Sequence, residues 1–161
     1  TTPKTESDKI VLKAEVTAAL ASFKAKDSSL QGLLDKSVGY VVFPEVGKAG
    51  LIVGGSYGRG EVYEAGKMIG YADISQGSVG AQIGAQTYAE LVVFMRPVDL
   101  TRFKSSEFTF AANASAVAIK AGAATTTDTG KGVIVFVNPK GGLMAEASVG
   151  GQKLNFNPLA K

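Results

Sequence analysis

The side chains able to do chemistry in this chain are carboxylates, amines, guanidiniums and phenols. Its 161 residues include 14 Asp/Glu, 17 Lys/Arg and five Tyr, but no His and no Cys. That absence excludes a Ser-His or Cys-His nucleophile pair, thiolate chemistry and the usual zinc-ligand spacings. Acid–base work is left to converging carboxylates. Glu61 and Glu64 lie near one turn but face opposite sides of a regular strand. Glu90 is placed in a strand with Tyr88 and Val92. Glu146 stands between Ala145 and Ala147, the one acid in an otherwise small, apolar strand. There a carboxylate hydrogen-bonded to backbone or to a Lys is the expected role, with a general base as the alternative. No catalytic constellation emerges, so a non-enzymatic domain without cofactor or metal is expected. The run Gly54-Gly55-Ser56-Tyr57-Gly58-Arg59-Gly60 fits neither dinucleotide nor Walker spacing. No Lys-Ser/Thr follows it and a strand, not a helix, comes next; strand ends and a tight turn account for it.

Basic residues are the remaining functional feature. The formal charge is +3, and the excess lies in the last third, where seven Lys/Arg face three acids. That is well short of the dense patch of a nucleic-acid binder. Six cations are candidates for contact with an anionic surface: Lys13 and Lys24 on one helix edge, Arg102 and Lys104 beside a short helix, and Lys48 and Arg59. The last two flank Gly-rich turns whose backbone amides could help cradle a phosphate. Each Lys or Arg near an anionic membrane contributes about 1 kcal/mol. Three or four together give only roughly millimolar to sub-millimolar attachment. Useful binding needs a head-group pocket, an apolar insertion or a covalent lipid as well. All six also read as ordinary solvated cations.

The elements that must position these residues divide the chain in two. Apolar residues make up 45% and charged residues 19%, the composition of a globular domain. No run approaches the roughly 18 apolar residues of a membrane-spanning helix. A disordered lead over residues 1–7 and a single domain over 8–161 are expected. The start at Thr1 points to a processed or trimmed product, with a secretory signal and a cleaved tag as alternative explanations. Of 20 Gly, only Gly32 precedes Gly39, so helices come first and strands and turns follow.

Within Lys9–Lys26, Leu12, Val16, Ala19, Leu20 and Phe23 form one helical stripe that should pack on a sheet. A second stripe of small residues (Ile10, Ala14, Ala18, Ala21, Ala25) suits a close helix or backbone neighbour. Lys13, Thr17 and Lys24 occupy one edge between the stripes, and Glu15, Ser22 and Lys26 the other. Ser28 and Gln31 are spaced as a capping box for a second short helix carrying Leu30, Leu33 and Leu34. After Ser37 the period becomes two, as in Val79–Ala85 and Leu143–Val149. Asn138-Pro139-Lys140-Gly141 has type I turn preferences. One short helix is expected at Pro97–Ser105, and the Thr-rich stretch Ala124–Gly130 is expected to be a mobile connection. The predicted fold class is α+β: a curved antiparallel Gly/Ala-rich sheet, part barrel and part sandwich, with N-terminal amphipathic helices packed on it.

The strand motifs carry a specific likeness. Gly39-Tyr-Val-Val-Phe-Pro44 followed by Lys48-Ala-Gly50, with the Gly-rich turn through Gly58 and Gly60, resembles the opening of the SYLF domain family. Ser78-Val-Gly-Ala-Gln-Ile-Gly-Ala-Gln86 and Leu91-Val-Val-Phe-Met95, with Leu100 and Phe103, are similar to its bacterial branch. Phe136 and Gly142-Leu-Met-Ala-Glu-Ala-Ser-Val149 resemble its closing strand pair. Gly70-Tyr71-Ala72 and Ile74 depart from the Gly-Trp-Ser and Pro of many eukaryotic members.

The resemblance implies a phospholipid-binding module recognising anionic, phosphoinositide-like head groups at a membrane surface. Eukaryotic relatives bind phosphoinositides, some yeast relatives bind actin filaments, and bacterial relatives usually follow a signal sequence, often of lipoprotein type. It thus implies a periplasmic or envelope location, peripheral to the membrane, with an anionic phospholipid surface as partner and no nucleic acid. A protein-interaction or structural envelope domain is the alternative. A small outer-membrane barrel, suggested by strand count, is opposed by the amphipathic helices and the missing aromatic girdles.

Overall fold

A computed structural model describes residues 3–46, 58–76, 87–105, 108–111, 113–140 and 146–159. Helix α1 spans Glu6–Lys26, with the Thr5 hydroxyl accepting from the Asp8 amide at 3.0 Å. Acids in its first turn (Glu6, Asp8) and bases in its last (Lys24, Lys26) complement the helix dipole. The helix starts inside the expected lead, since Glu6 and Ser7 are already helical. Leu12, Val16 and Phe23 are buried and Ala19 and Leu20 half-buried, as the large stripe predicts. The small stripe differs: Ile10, Ala14, Ala18, Ala21 and Ala25 are exposed. The helix has one layer to pack on, the sheet, and no second layer among the described residues covers its back.

Helix α2, Leu30–Lys36, buries Leu30, Leu33 and Leu34. Its expected capping box does not form. Ser29, not Ser28, is the N-cap, and Gln31 Nε2 donates to Asp35 at 2.8 Å. The stronger acceptor here is a carboxylate. Asp27 Oδ1 takes hydrogen bonds from the Ser29 amide (3.0 Å) and hydroxyl (2.6 Å).

The strands follow as β1 (Gly39–Val46), β2 (Gly58–Glu64), β3 (Lys67–Gln76) and β4 (Tyr88–Phe94). Next come α3 (Pro97–Lys104), β5 (Phe108–Thr109), β6 (Ser115–Ala118), α4 (Ala123–Thr126), a 3₁₀ turn (Thr129–Lys131), β7 (Val133–Pro139), β8 (Glu146–Ser148) and β9 (Lys153–Pro158). They form one sheet in the order β5-β9-β3-β2-β1-β4-β7-β6-β8. The expectation of a wholly antiparallel sheet needs one correction: β6 and β7 are parallel. The crossover between them passes through α4 and the 3₁₀ turn, so the Thr-rich stretch expected as a mobile connection carries these two short elements. The stretches 79–85 and 143–145 lie outside the described residues.

Both faces of the sheet are covered, which is why all seven residues of β4 are buried. In register, Val42 pairs with Leu91 and faces α1 and α2, while Phe43 pairs with Glu90 and faces inward. The inner core gathers Val41, Val62, Ile74, Val92, Phe94 and Val137, with Leu100 and Phe103 of α3 closing one end. Gly60 lets the curl tighten: a Cβ there would collide with the Val42 carbonyl oxygen, so only glycine fits.

The first and last strands in the sheet order are joined by a bent ribbon. Segment 108–118 runs antiparallel to 146–154: Phe108 pairs with Leu154 and Ser115 with Ser148. At the bend, Phe110 N donates to Gln152 O, Gly151 N to Phe110 O and Val149 N to Ala114 O, each at 3.1 Å. One half of the ribbon attaches to β3 through β9, and the other to β7 through β6. The result is a curled, barrel-like sheet with α1, α2 and α4 outside and α3 across one end, the α+β arrangement expected.

Asp27 fastens the helical layer. Its carboxylate also accepts from the amides of Gly122 (3.1 Å) and Ala124 (2.7 Å), tying the end of α1 to α4. Burial pushes this carboxyl up, but the Ser29 hydroxyl and the Ala124, Ser29 and Gly122 amides outweigh it and hold it below the ordinary value.

Two outcomes are expected. Phe23→Ala, which empties a fully buried site, lowers stability by roughly 3–5 kcal/mol in urea melts. Asp27→Ala lowers it by roughly 2–4 kcal/mol at neutral pH. A depressed carboxyl stabilises above its unfolded value and loses that contribution on protonation in the fold. The gap between wild type and Asp27→Ala therefore narrows as pH falls below 3.8.

Candidate functional site

The candidate cations do not form one patch. Lys13 of α1 lies over a buried carboxylate: its Nζ is 3.4 Å from Glu61 Oε1, which also accepts from the Tyr63 hydroxyl at 2.6 Å. Tyr63 stacks on Tyr40 with centroids 5.2 Å apart, and Lys13 Nζ sits 5.9 Å from the Tyr63 ring. Burial first, and then the Glu61 hydrogen bond and charge, push the Tyr63 phenol far up. Burial and the Asp35 charge raise that of Tyr40. Lys24, half-buried and about 16 Å along the helix from Lys13, pairs with no acid among the described residues.

At the other end of the sheet, Arg102 Nη1 is 3.9 Å from Asp99 Oδ1 and its guanidinium lies 5.7 Å from the Phe108 ring. Lys104 Nζ is 2.8 Å from Glu64 Oε1. Glu61 and Glu64 thus lie on opposite sides of β2, one beneath α1 and one toward α3, as their spacing predicts. Arg59 is half-buried on β2, opposite Asp73 of β3. Lys48, the glycine run up to Tyr57 and the side chain of Glu146 lie outside the described residues. Lys13, Arg102 and Lys104 already have acidic partners.

A better-built site lies where the end of α1 meets the end of β7. Lys26 Nζ donates to Asn138 Oδ1 at 2.5 Å, and Asn138 Nδ2 donates to Ser22 Oγ at 3.0 Å. These residues line a cleft of about 400 Å³ that also includes Glu15, Ala18, Ala19, Pro44, Ala89, Pro139 and Lys140. Its two walls are held differently. Phe23 anchors the helix side, while Ala89 and Asn138 are register partners in β4 and β7. Asn138 and Pro139, expected in a turn, belong to strand β7, paired with Ala89 and Tyr88 of β4, and Lys140 follows directly, its amide donating to Thr87 O at 3.0 Å. Lys120 belongs to the same end, because Ile119 N donates to Val137 O at 2.8 Å.

Two ammonium groups, an amide and a hydroxyl around a partly apolar cleft are suited to an anion with several oxygens. Glu15 is a lone carboxylate and gives no acid–base pair. Among the described residues no cluster of metal-binding side chains occurs. Sequence reasoning placed Glu15, Ser22 and Lys26 on one helix edge and read Asn138-Pro139-Lys140 as a turn, but assigned neither a role. Their convergence depends on a contact between positions 112 apart.

A family model described as "Ysc84: Las17-binding protein actin regulator" matches residues 75–158. No curated protein matches the chain. The matched part runs from the end of β3 to β9 and includes Ala89, Asn138, Pro139 and Lys140 of the cleft, the whole closing ribbon and the crossover through α4. It takes in just over half of the 161 residues. Together with the barrel-like sheet and its outer helices, that match makes this chain a member of the Ysc84 family of SYLF domains.

Proposed function

We propose that this domain is a non-enzymatic module that attaches to anionic phospholipid at a membrane surface, with the Lys26–Lys140 cleft receiving the head group. The observation that supports the reading most directly is the cleft itself. It holds two lysines, neither paired with an acid among the described residues, beside an amide and a hydroxyl that offer further polar contacts. Lys24 and Lys120 at the same end add attraction of longer range. No described helix is long and apolar enough to cross a membrane, so attachment would be peripheral. We place the domain at the periplasmic face of a bacterial envelope. The outer face of the sheet is occupied by α1 and α2, unlike the lipid-facing wall of a membrane barrel. The family description speaks of Las17 binding and actin regulation, which favours protein binding as the second reading.

Vesicle sedimentation separates the two. Phosphatidylglycerol vesicles should bind more tightly than phosphatidylcholine vesicles, and binding should weaken with salt, since exposed charges are screened within about 8 Å at physiological ionic strength. Removing both cleft cations, Lys26→Gln with Lys140→Gln, should weaken binding about 30-fold, from about 1 kcal/mol per cation. Arg102→Gln with Lys104→Gln should change it less, because those cations already face Asp99 and Glu64. Equal losses from both pairs would mean diffuse attraction without a site. No binding to either vesicle would leave the protein-binding reading.

A further inference from the structure

The barrel interior contains a polar pair that the proposed binding function does not use. Gln152 stands at the bend of the closing ribbon, directly after Gly151 (φ 84°), and is fully buried. Its Nε2 donates to Glu90 Oε1 at 3.1 Å and to the Tyr88 hydroxyl at 3.3 Å, both on β4. Glu90 is fully buried too. Among the described residues, neither Glu90 Oε2 nor Gln152 Oε1 has a hydrogen-bond partner. With Glu90 ionised, both are acceptors and neither can satisfy the other. A proton on Oε2 turns it into a donor and makes the Gln152 oxygen its natural acceptor. The side chains then form a carboxylic acid–amide pair with two hydrogen bonds, and one proton removes both deficits.

Among the described residues no cation pairs with this carboxylate. The inner face of β1 presents Phe43 and Val46, β7 presents Val135 and Val137, β6 presents Ala116, and the ribbon presents Phe110 and Val149. Tyr88 is the one titratable neighbour among the described residues, and burial followed by the Glu90 charge pushes its phenol far up, so it stays protonated.

We propose that Glu90 and Gln152 form a proton-dependent latch, fastening the bend of the ribbon to β4 when Glu90 is neutral and loosening it on ionisation. Burial raises the Glu90 carboxyl to about 7, an effect the Gln152 hydrogen bond only partly offsets. A carboxyl raised in the fold stabilises fully below its unfolded value. The contribution is lost as pH climbs from 4.5 to about 7, and stability is level above that.

Two measurements on the full chain test this. Infrared spectra at pH about 6, where ordinary carboxyls are ionised, should retain one protonated-carboxyl band that titrates away near pH 7 and is absent in Glu90→Gln. Hydrogen-exchange protection of residues 108–116 and 149–154 should fall between pH about 4.5 and about 7 in the wild type. It should be independent of pH in Glu90→Gln, whose amide can form the paired arrangement without a proton. A wild-type spectrum without the band at pH about 6 overturns the latch, and does so even if the variant fails to fold. So does a pH response of the ribbon that is the same in both proteins, or one that spares the ribbon.

Discussion

A sheet with apolar residues on both faces needs cover on both, and this one covers its inner face by curling on itself. Here the hydrogen-bonded bend at Phe110, Gly151 and Gln152 meets that constraint. It turns one two-stranded ribbon through a corner, so that one half continues the sheet beyond β3 and the other beyond β7. Closure makes the inner core of Phe43, Phe94 and Val137 possible, and the inner core fixes which residues face outward to the helices. A single-residue slip in β4 would exchange Leu91 and Glu90 between the two faces. The register is therefore held from both sides.

Three buried carboxylates show three ways of meeting the cost of desolvation. Asp27 stays ionised by gathering amide and hydroxyl donors from two segments, Ser29 and Gly122–Ala124, and in return fixes α1, α2 and α4 to one another. Glu61 draws on Lys13 and the Tyr63 hydroxyl beneath α1. Glu90 has only one amide side chain and a phenol nearby, which makes the neutral acid its favoured form. The donors within reach, rather than burial alone, separate Asp27 from Glu90.

The cations divide in a way that bears on function. Those near α3 are matched with Asp99 and Glu64, whereas Lys26 and Lys140 line one cleft and neither pairs with an acid among the described residues. The strand alternation that turns Glu90 inward turns Ala89 outward to the cleft floor, so the interior pair and the proposed head-group site share one wall. Family membership points to a binding domain. It leaves the choice between lipid and protein to experiment.

Local periodicity made much of this protein legible. The Leu12/Val16/Phe23 stripe, the buried leucines of α2, the Pro97 helix and the α+β class all follow from patterns within a few residues, because helices and strands repeat over such spans. Composition likewise removed the usual nucleophiles and metal ligands. The sequence also set Glu90 beside Tyr88 and Val92, and Glu15, Ser22 and Lys26 on one edge of α1. It could not pair Glu90 with Gln152, Lys26 with Asn138, or Asp27 with Ala124, contacts between residues 62, 112 and 97 positions apart. Nor could it show that β6 lies parallel to β7, or that Lys13 and Lys104 are neutralised by glutamates. Those outcomes were decided by closure of the sheet. A side chain's periodicity fixes the face it takes, but its partner is set by where the rest of the chain packs.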